Sequence, residues 1–163
     1  MLVIKNGYIV LNNQLVKKDL LIDEGKIIKI SNNIEHENNY IDASGCLVMP
    51  GAVDLHVHLR EPGFIEKETI KTGTLSAAKG GVTTIMSMPN LKPCPDNIDA
   101  LNKQLDIIKK DALVNVFPYG SVSIDEKDQE LADIDGLQKK VKAISDDGRG
   151  VNNINILINA MKL

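Results

Sequence analysis

Residues 50–63 read PGAVDLHVHLREPG, and the way this stretch divides the chain decides the fold. Pro50-Gly51 is a strong break. Beyond it, AVDLHVHL (52–59) alternates and is rich in Val and Leu, as a strand should be. Before it, short apolar runs are punctuated by turn signals: LVI, then Asn6-Gly7, then YIVL, and LLID, then Glu24-Gly25, then KIIKI. Asn-Gly is the stronger hairpin signal of the two. Residues 1–50 are therefore expected to form a small antiparallel sheet, an incomplete β-sandwich segment.

From residue 51 onward, strands alternate with helix-length segments, the pattern of consecutive βα units. The first unit pairs AVDLHVHL with a helix from about Glu66 to Lys79, closed by Gly80-Gly81. The second pairs VTTIMSM (82–88) with a helix from about Asn97 to Lys110. There Ile98, Leu101, Leu105 and Ile108 form one apolar stripe, and Asp96 or Asn97 supplies the N-cap. The third has ALVNVFPYG (112–120) and a weak helical segment near Asp133 to Lys139. The fourth has VKAIS (141–145) and a helix from about Asn152 to Met161, where Ile154, Leu157, Ile158 and Met161 fall at i, i+3, i+4 and i+7. A closed eight-fold barrel takes about 250 residues, so residues 51–163 are expected to be the first four units of a TIM-type (β/α) barrel. Aromatic residues are only 3% of the chain, and apolar content carried by Ile, Leu, Val and Ala suits parallel strands covered on both faces.

The 163 residues are 43% hydrophobic and 25% charged, an ordinary globular balance. With a net charge of −3 and no concentrated basic run, nucleic acid is not an expected partner. The start, MLVIKNGYIVLNN, has neither a basic leader nor a long apolar run, so no signal peptide or membrane span is expected and a cytoplasmic protein is. Cys46 and Cys94 match neither a disulfide framework nor a CxxC clip, and two reduced thiols are expected.

In α/β folds, functional side chains gather at the C-terminal ends of strands. Here those positions carry Asp54, His56, His58 and Arg60 after the first strand, Asn90 after the second, and Asp146 and Asp147 after the fourth. His56 and His58 are one residue apart, so on a strand both imidazoles project from one face and can chelate one metal ion. Taken alone, the pair could equally be two solvent-facing histidines. Their apolar strand and the carboxylate at an equivalent strand end tilt the reading toward metal. His36, in NNIEHENN, reads as a surface residue. Asp146-Asp147-Gly148 by itself reads as a turn, Arg60 as a surface partner of Glu61, and Asn90 as a turn residue after Pro89.

DLHVHLREPG (54–63), KETIKTGTLSAAKGGVTTIMSMPN (67–90) and ISDDG (144–148) closely resemble bacterial type I dihydroorotases of the amidohydrolase superfamily. That resemblance implies zinc, two ions in a complete enzyme, with His56, His58 and Asp147 as ligands, Asp147 shared between the ions and Asp146 as its support. It implies that Arg60 and Asn90 hold the substrate carboxylate in a reversible cyclisation of N-carbamoyl-aspartate to dihydroorotate. The general acid–base group and further histidines would come from later strands, none within this chain, so residues 1–163 are expected to be an inactive N-terminal portion. Small-molecule substrate aside, the resemblance allows a homo-oligomer and aspartate transcarbamoylase as partners. Leu91, where Thr is usual, and Cys94 depart mildly from the pattern. The rival readings are a non-catalytic dihydroorotase-like scaffold and another cyclic amidohydrolase, such as an allantoinase or hydantoinase. Arg60 argues against the latter.

Overall fold

The structure, a computed structural model, describes residues 1–35 and 39–163, so His36 lies outside the described residues. Contacts divide the chain into two compact units, Met1–Pro50 and Gly51–Leu163.

The first unit holds β1 (Leu2–Leu11), β2 (Gln14–Asp23), β3 (Lys26–Ser31) and β4 (Tyr40–Asp42). They form one sheet in the order β3-β2-β1-β4, antiparallel except for the parallel β1/β4 pair. Glu24-Gly25 makes a hairpin turn with both residues at positive φ. Asn6-Gly7 does not. The β1/β2 hairpin turns instead at Asn12-Asn13, at φ 51° and 61°, since two consecutive left-handed residues match the strand twist and Asn tolerates them. Asn6 (φ 63°) becomes a bulge inside β1, where the register slips between Ile4 and Gly7. The bulge is held from the side: buried Asp19 accepts the Asn6 N–H at 2.9 Å and the Ile34 N–H at 3.0 Å. Gly7 is required there, because a Cβ would lie 2.5 Å from the Val48 side chain.

The second unit runs β5 (Ala52–Val57), α1 (Ile70–Lys79), β6 (Val82–Ser87), α2 (Ile98–Asp111), β7 (Asn115–Pro118), a 3-10 turn (Ile124–Glu126), α3 (Ile134–Leu137) and α4 (Ile154–Ala160). β5, β6 and β7 form a parallel sheet in that order, each pair joined by a helix as in consecutive βα units. Leu59, Ile70, Ile85 and Val116 pack one core between sheet and helices. Leu101, Val122, Ile134, Leu137 and Ile156 pack another. The α2 stripe serves both, since Ile98, Leu101 and Leu105 enter the second and Ile108 the first. Each fully buried Leu or Ile contributes about 1.5–3 kcal/mol.

In the second unit three expectations need correction. The first helix starts at Ile70 rather than Glu66, because Thr69 and Thr72 form a capping box and Glu61 accepts the Ile70 N–H at 2.8 Å. VKAIS is not a strand. Lys140 and Val141 still donate to Leu137 O at the end of α3, leaving a single parallel bridge, Gly120 with Ile144. In α4 the inward residues are Ile156 and Ala160, while Ile154, Leu157, Ile158 and Met161 are exposed. The helix is apolar on two faces, and the Ile156/Ala160 pair meets the second core. No helix among the described residues is long and apolar enough to cross a membrane.

Asp19→Ala removes both charge-assisted bonds and orphans two N–H groups. It is expected to lower the free energy of unfolding by about 2–4 kcal/mol, read as a lower urea midpoint; an unchanged midpoint would show that the bulge is held otherwise.

Candidate metal centre and cleft

β5 delivers His56, and two residues on, His58 follows on the same face. The rings meet edge to face with centroids 5.2 Å apart. Main-chain bonding continues just past the strand, Met88 N–H donating to Val57 O at 2.8 Å. Leu59 is then fully buried against α1, and Gly73 is what lets it in: a Cβ there would sit 2.5 Å from the Leu59 side chain. Arg60 follows in the left-handed region at φ 58°, a conformation that costs a non-glycine residue roughly 1 kcal/mol or more.

Asp147 arrives from the far side of the unit. One of its carboxylate oxygens lies 3.3 Å from His56 Nε2 and the other 3.5 Å from His58 Nε2. One ligand atom from each of the three residues fits within 4.8 Å. Two imidazoles and a carboxylate are a donor set that zinc favours, and tetrahedral bonds of about 2.0–2.2 Å to one ion put donor atoms roughly 3.3–3.6 Å apart, as the Asp147 oxygens are from the two imidazoles. The residues present therefore fit the metal. His58 Nδ1 is buried with no partner among the described residues.

Asp146, next in sequence, faces the other way. Its buried carboxylate accepts Val122 N–H at 2.7 Å, Ser123 N–H at 3.2 Å and the Ser123 hydroxyl. With the Gly120/Ile144 bridge, these bonds fix the segment that carries Asp147.

His58, Arg60, Asn90 and Asp147 line one open cleft of about 640 Å³. Sequence reasoning singled out all four, and the structure brings them together; His56 stands at its edge, in contact with Asp147. The cleft also takes in residues that reasoning passed over, chiefly Glu126 and Arg149. Counting Lys67, Lys92 and Lys127 with Arg60 and Arg149, five cationic side chains face three carboxylates, an excess that suits an anionic ligand. Cys94 lines the cleft too, but burial pushes its thiol up to about 12, which leaves it protonated and a poor nucleophile.

Asn90 donates through Nδ2 to Glu126 Oε1 at 3.0 Å and to the main-chain oxygen of Asp147 at 2.7 Å. Glu126 is buried at φ 54°, and burial above all raises its carboxyl from the usual range, with Asp146 and Asp147 adding to the effect against the Asn90 bond and Arg149. It sits in IDEKDQE, whose charges read as a solvated surface run. No spacing signal marks it.

The model of the dihydro-orotase-like family matches residues 45–163. The dihydroorotase of Fusobacterium nucleatum subsp. nucleatum is 47% identical over 161 residues, covering 98% of this chain and 38% of that protein. That of Bacillus cytotoxicus is 47% identical, with 97% and 38% covered. The chain thus spans about two fifths of the length of these curated relatives. Among solved structures, a D-hydantoinase superposes with a TM-score of 0.75 at 26% identity, covering 99% of this chain and 37% of that one. The L-hydantoinase of Arthrobacter aurescens gives 0.74 at 26% identity, with 88% and 32% covered.

Because the folded-state pKa of Glu126 is raised, the stability it contributes is complete below the ordinary value of 4.5 and is lost as pH rises through the raised one. Glu126→Gln keeps an oxygen for Asn90 but carries no charge. The variant's urea midpoint is expected to fall less than the parent's as pH rises above 4.5; parallel curves would count against the assignment.

Proposed function

The chain belongs to the dihydro-orotase-like family, and on that premise we propose that it is the metal-site portion of a zinc-dependent dihydroorotase, which interconverts N-carbamoyl-L-aspartate and L-dihydroorotate in pyrimidine synthesis. The observation that carries this reading is the convergence of His56, His58 and Asp147 within 4.8 Å at the wall of a cleft that also presents Arg60.

His56, His58 and Asp147 would hold one zinc ion, with Asp147 shared by a second. Bound there, zinc supplies Lewis-acid polarisation of a carbonyl and activation of water. The rest of the chemistry falls to side chains. Arg60 offers a planar fork of donors that matches a carboxylate with two parallel bonds, and its left-handed backbone turns the chain at the cleft wall. Asn90 lines the same wall. The cationic excess draws in an anionic substrate and opposes its escape. Asp146 keeps Asp147 in place by holding its neighbours' backbone. The group that carries the proton is proposed to come from outside residues 1–163, as is a second layer of strands covering the sheet of Met1–Pro50, where Val10, Leu15, Ile27 and Ile28 are exposed.

A set of three converging ligands favours a metal enzyme over a scaffold that has lost its ligands. Arg60 in the cleft favours a substrate bearing a carboxylate over an uncharged cyclic amide.

In the protein extended to the length of its relatives, dihydroorotate hydrolysis with zinc is expected, and changing His56 and His58 to Ala should abolish both metal content and activity. Arg60→Lys should leave metal content intact and raise KM about tenfold or more, the worth of one charge-assisted bond of roughly 1.5–3 kcal/mol. Residues 1–163 alone should show no turnover. Full metal content in the double variant, or an unchanged KM in the Lys variant, would overturn the respective role.

A further inference from the structure

Asn90 offers two amide hydrogens, and both are taken by groups of the protein itself. Nδ2 donates to Glu126 Oε1 at 3.0 Å and to the main-chain oxygen of Asp147 at 2.7 Å. Each acceptor is an oxygen, so the nitrogen must face them and Oδ1 must turn away. One of the two acceptors is a carboxylate. It stands in the cleft that also presents Arg60, where the proposed substrate brings a carboxylate of its own.

An incoming carboxylate can bond Asn90 only by displacing one of these acceptors. The Asp147 oxygen cannot leave without moving the metal site, since Asp146 pins its own residue to Val122 and Ser123 and the Asp147 side chain faces both imidazoles. Glu126 can leave. Its bond is the longer, it sits on a side chain rather than on the backbone, and among the described residues Asn90 is the one hydrogen-bond donor to that side chain. Burial disfavours its charge where it stands, while Arg149 of the same cleft attracts it. Both carboxylates cannot share one hydrogen, because at that distance like charges repel. When Glu126 withdraws, the Asp147 oxygen still keeps the amide turned the same way.

We propose that Glu126 is a resident competitor for the substrate carboxylate: it occupies the Asn90 hydrogen which that carboxylate takes, withdraws toward Arg149 as the ligand binds, and so sets substrate affinity without taking part in the chemistry. The inference rests on the reading of the substrate as a cyclic amide whose carboxylate is held by Arg60 and Asn90. One carboxylate passes unchanged from N-carbamoyl-aspartate to dihydroorotate. Competition with it weakens ground state and transition state alike, which raises KM and leaves kcat unaltered. Both ligands are weakened by about the same factor.

The test is the sign of the change in KM for dihydroorotate on the zinc-loaded protein extended to the length of its relatives. The Kd of the metal-free protein for dihydroorotate, by calorimetry, gives the same comparison without turnover. Glu126→Ala is expected to lower both constants about threefold or more, the worth of one net hydrogen bond, with kcat unchanged. Glu126→Gln should lower them by a smaller factor, because a neutral amide oxygen holds Nδ2 less strongly than a carboxylate does. In an Asn90→Ala background, Glu126→Ala should no longer lower either constant. A merely structural role gives the opposite sign, with KM rising in both variants; that result, or constants equal to the parent's, overturns the proposal. A fall that persists in the Asn90→Ala background overturns it too, since Glu126 then acts by general charge repulsion. If Glu126→Ala melts early, the Gln variant carries the comparison by the same signs. Dihydroorotate binding without turnover would overturn the proposed activity and leave this inference standing, and a parent that binds no dihydroorotate would overturn both.

Discussion

The grip of the Asp146 carboxylate on the backbone of Val122 and Ser123 is the interaction on which the candidate site depends. In a barrel the strand ladder normally carries a functional residue to its place. Here the segment before Asp146 makes one bridge, and a bridge alone leaves the chain free to pivot. A buried carboxylate with three donors replaces the missing rungs, and each such charge-assisted bond is worth more than a neutral one. Removing that carboxylate would orphan two N–H groups and release Asp147 together. Structure and site fail at the same place.

Carboxylates do this repeatedly around the same loop. Asp96 accepts the Asp125 N–H, and Asp128 accepts the N–H groups of Asn152 and Asn153 ahead of α4. Between them Asp125, Glu126 and Asp128 sit at φ 52°, 54° and 57°. Three left-handed residues without glycine cost several kcal/mol together, at roughly 1–3 each, and persist only where surrounding bonds over-determine them. The consequence is positional. The loop turns tightly enough to bring Glu126 out of the solvated run to which its sequence assigns it and under the Asn90 amide.

This explains which parts were legible in the sequence. His56 and His58 could be paired from the two-residue period of a strand, a rule that depends on no partner. The α2 stripe and its Asn97 cap were readable for the same reason. Asp147 was not readable from spacing; only resemblance separated it from a turn, because its place beside the two imidazoles depends on where Asp146 anchors the chain. Glu126 left no mark at all, since the way IDEKDQE folds around it depends on two carboxylates outside the run, Asp96 and Asp146. Asn6-Gly7 misled in the opposite direction. Its turn chemistry is real, as φ 63° at Asn6 shows, but Asp19 captures the freed N–H and the ladder continues past it. A local preference for a left-handed residue is met by a bulge as well as by a turn, and the longer ladder decides between them.

The two imidazoles differ in what holds them. His58 is the more enclosed, with Nδ1 buried, whereas the His56 side chain is 54% exposed. A ligand ring is usually oriented by an acceptor on its second nitrogen, and among the described residues His58 has none. Its ring meets His56 edge to face and has an Asp147 oxygen 3.5 Å from Nε2. Asp147 faces each ring through a different oxygen. The candidate site is thus assembled from two sides: the β5 segment presents the two imidazoles by its own two-residue period, and Asp146 fixes the neighbouring residue whose oxygens face them.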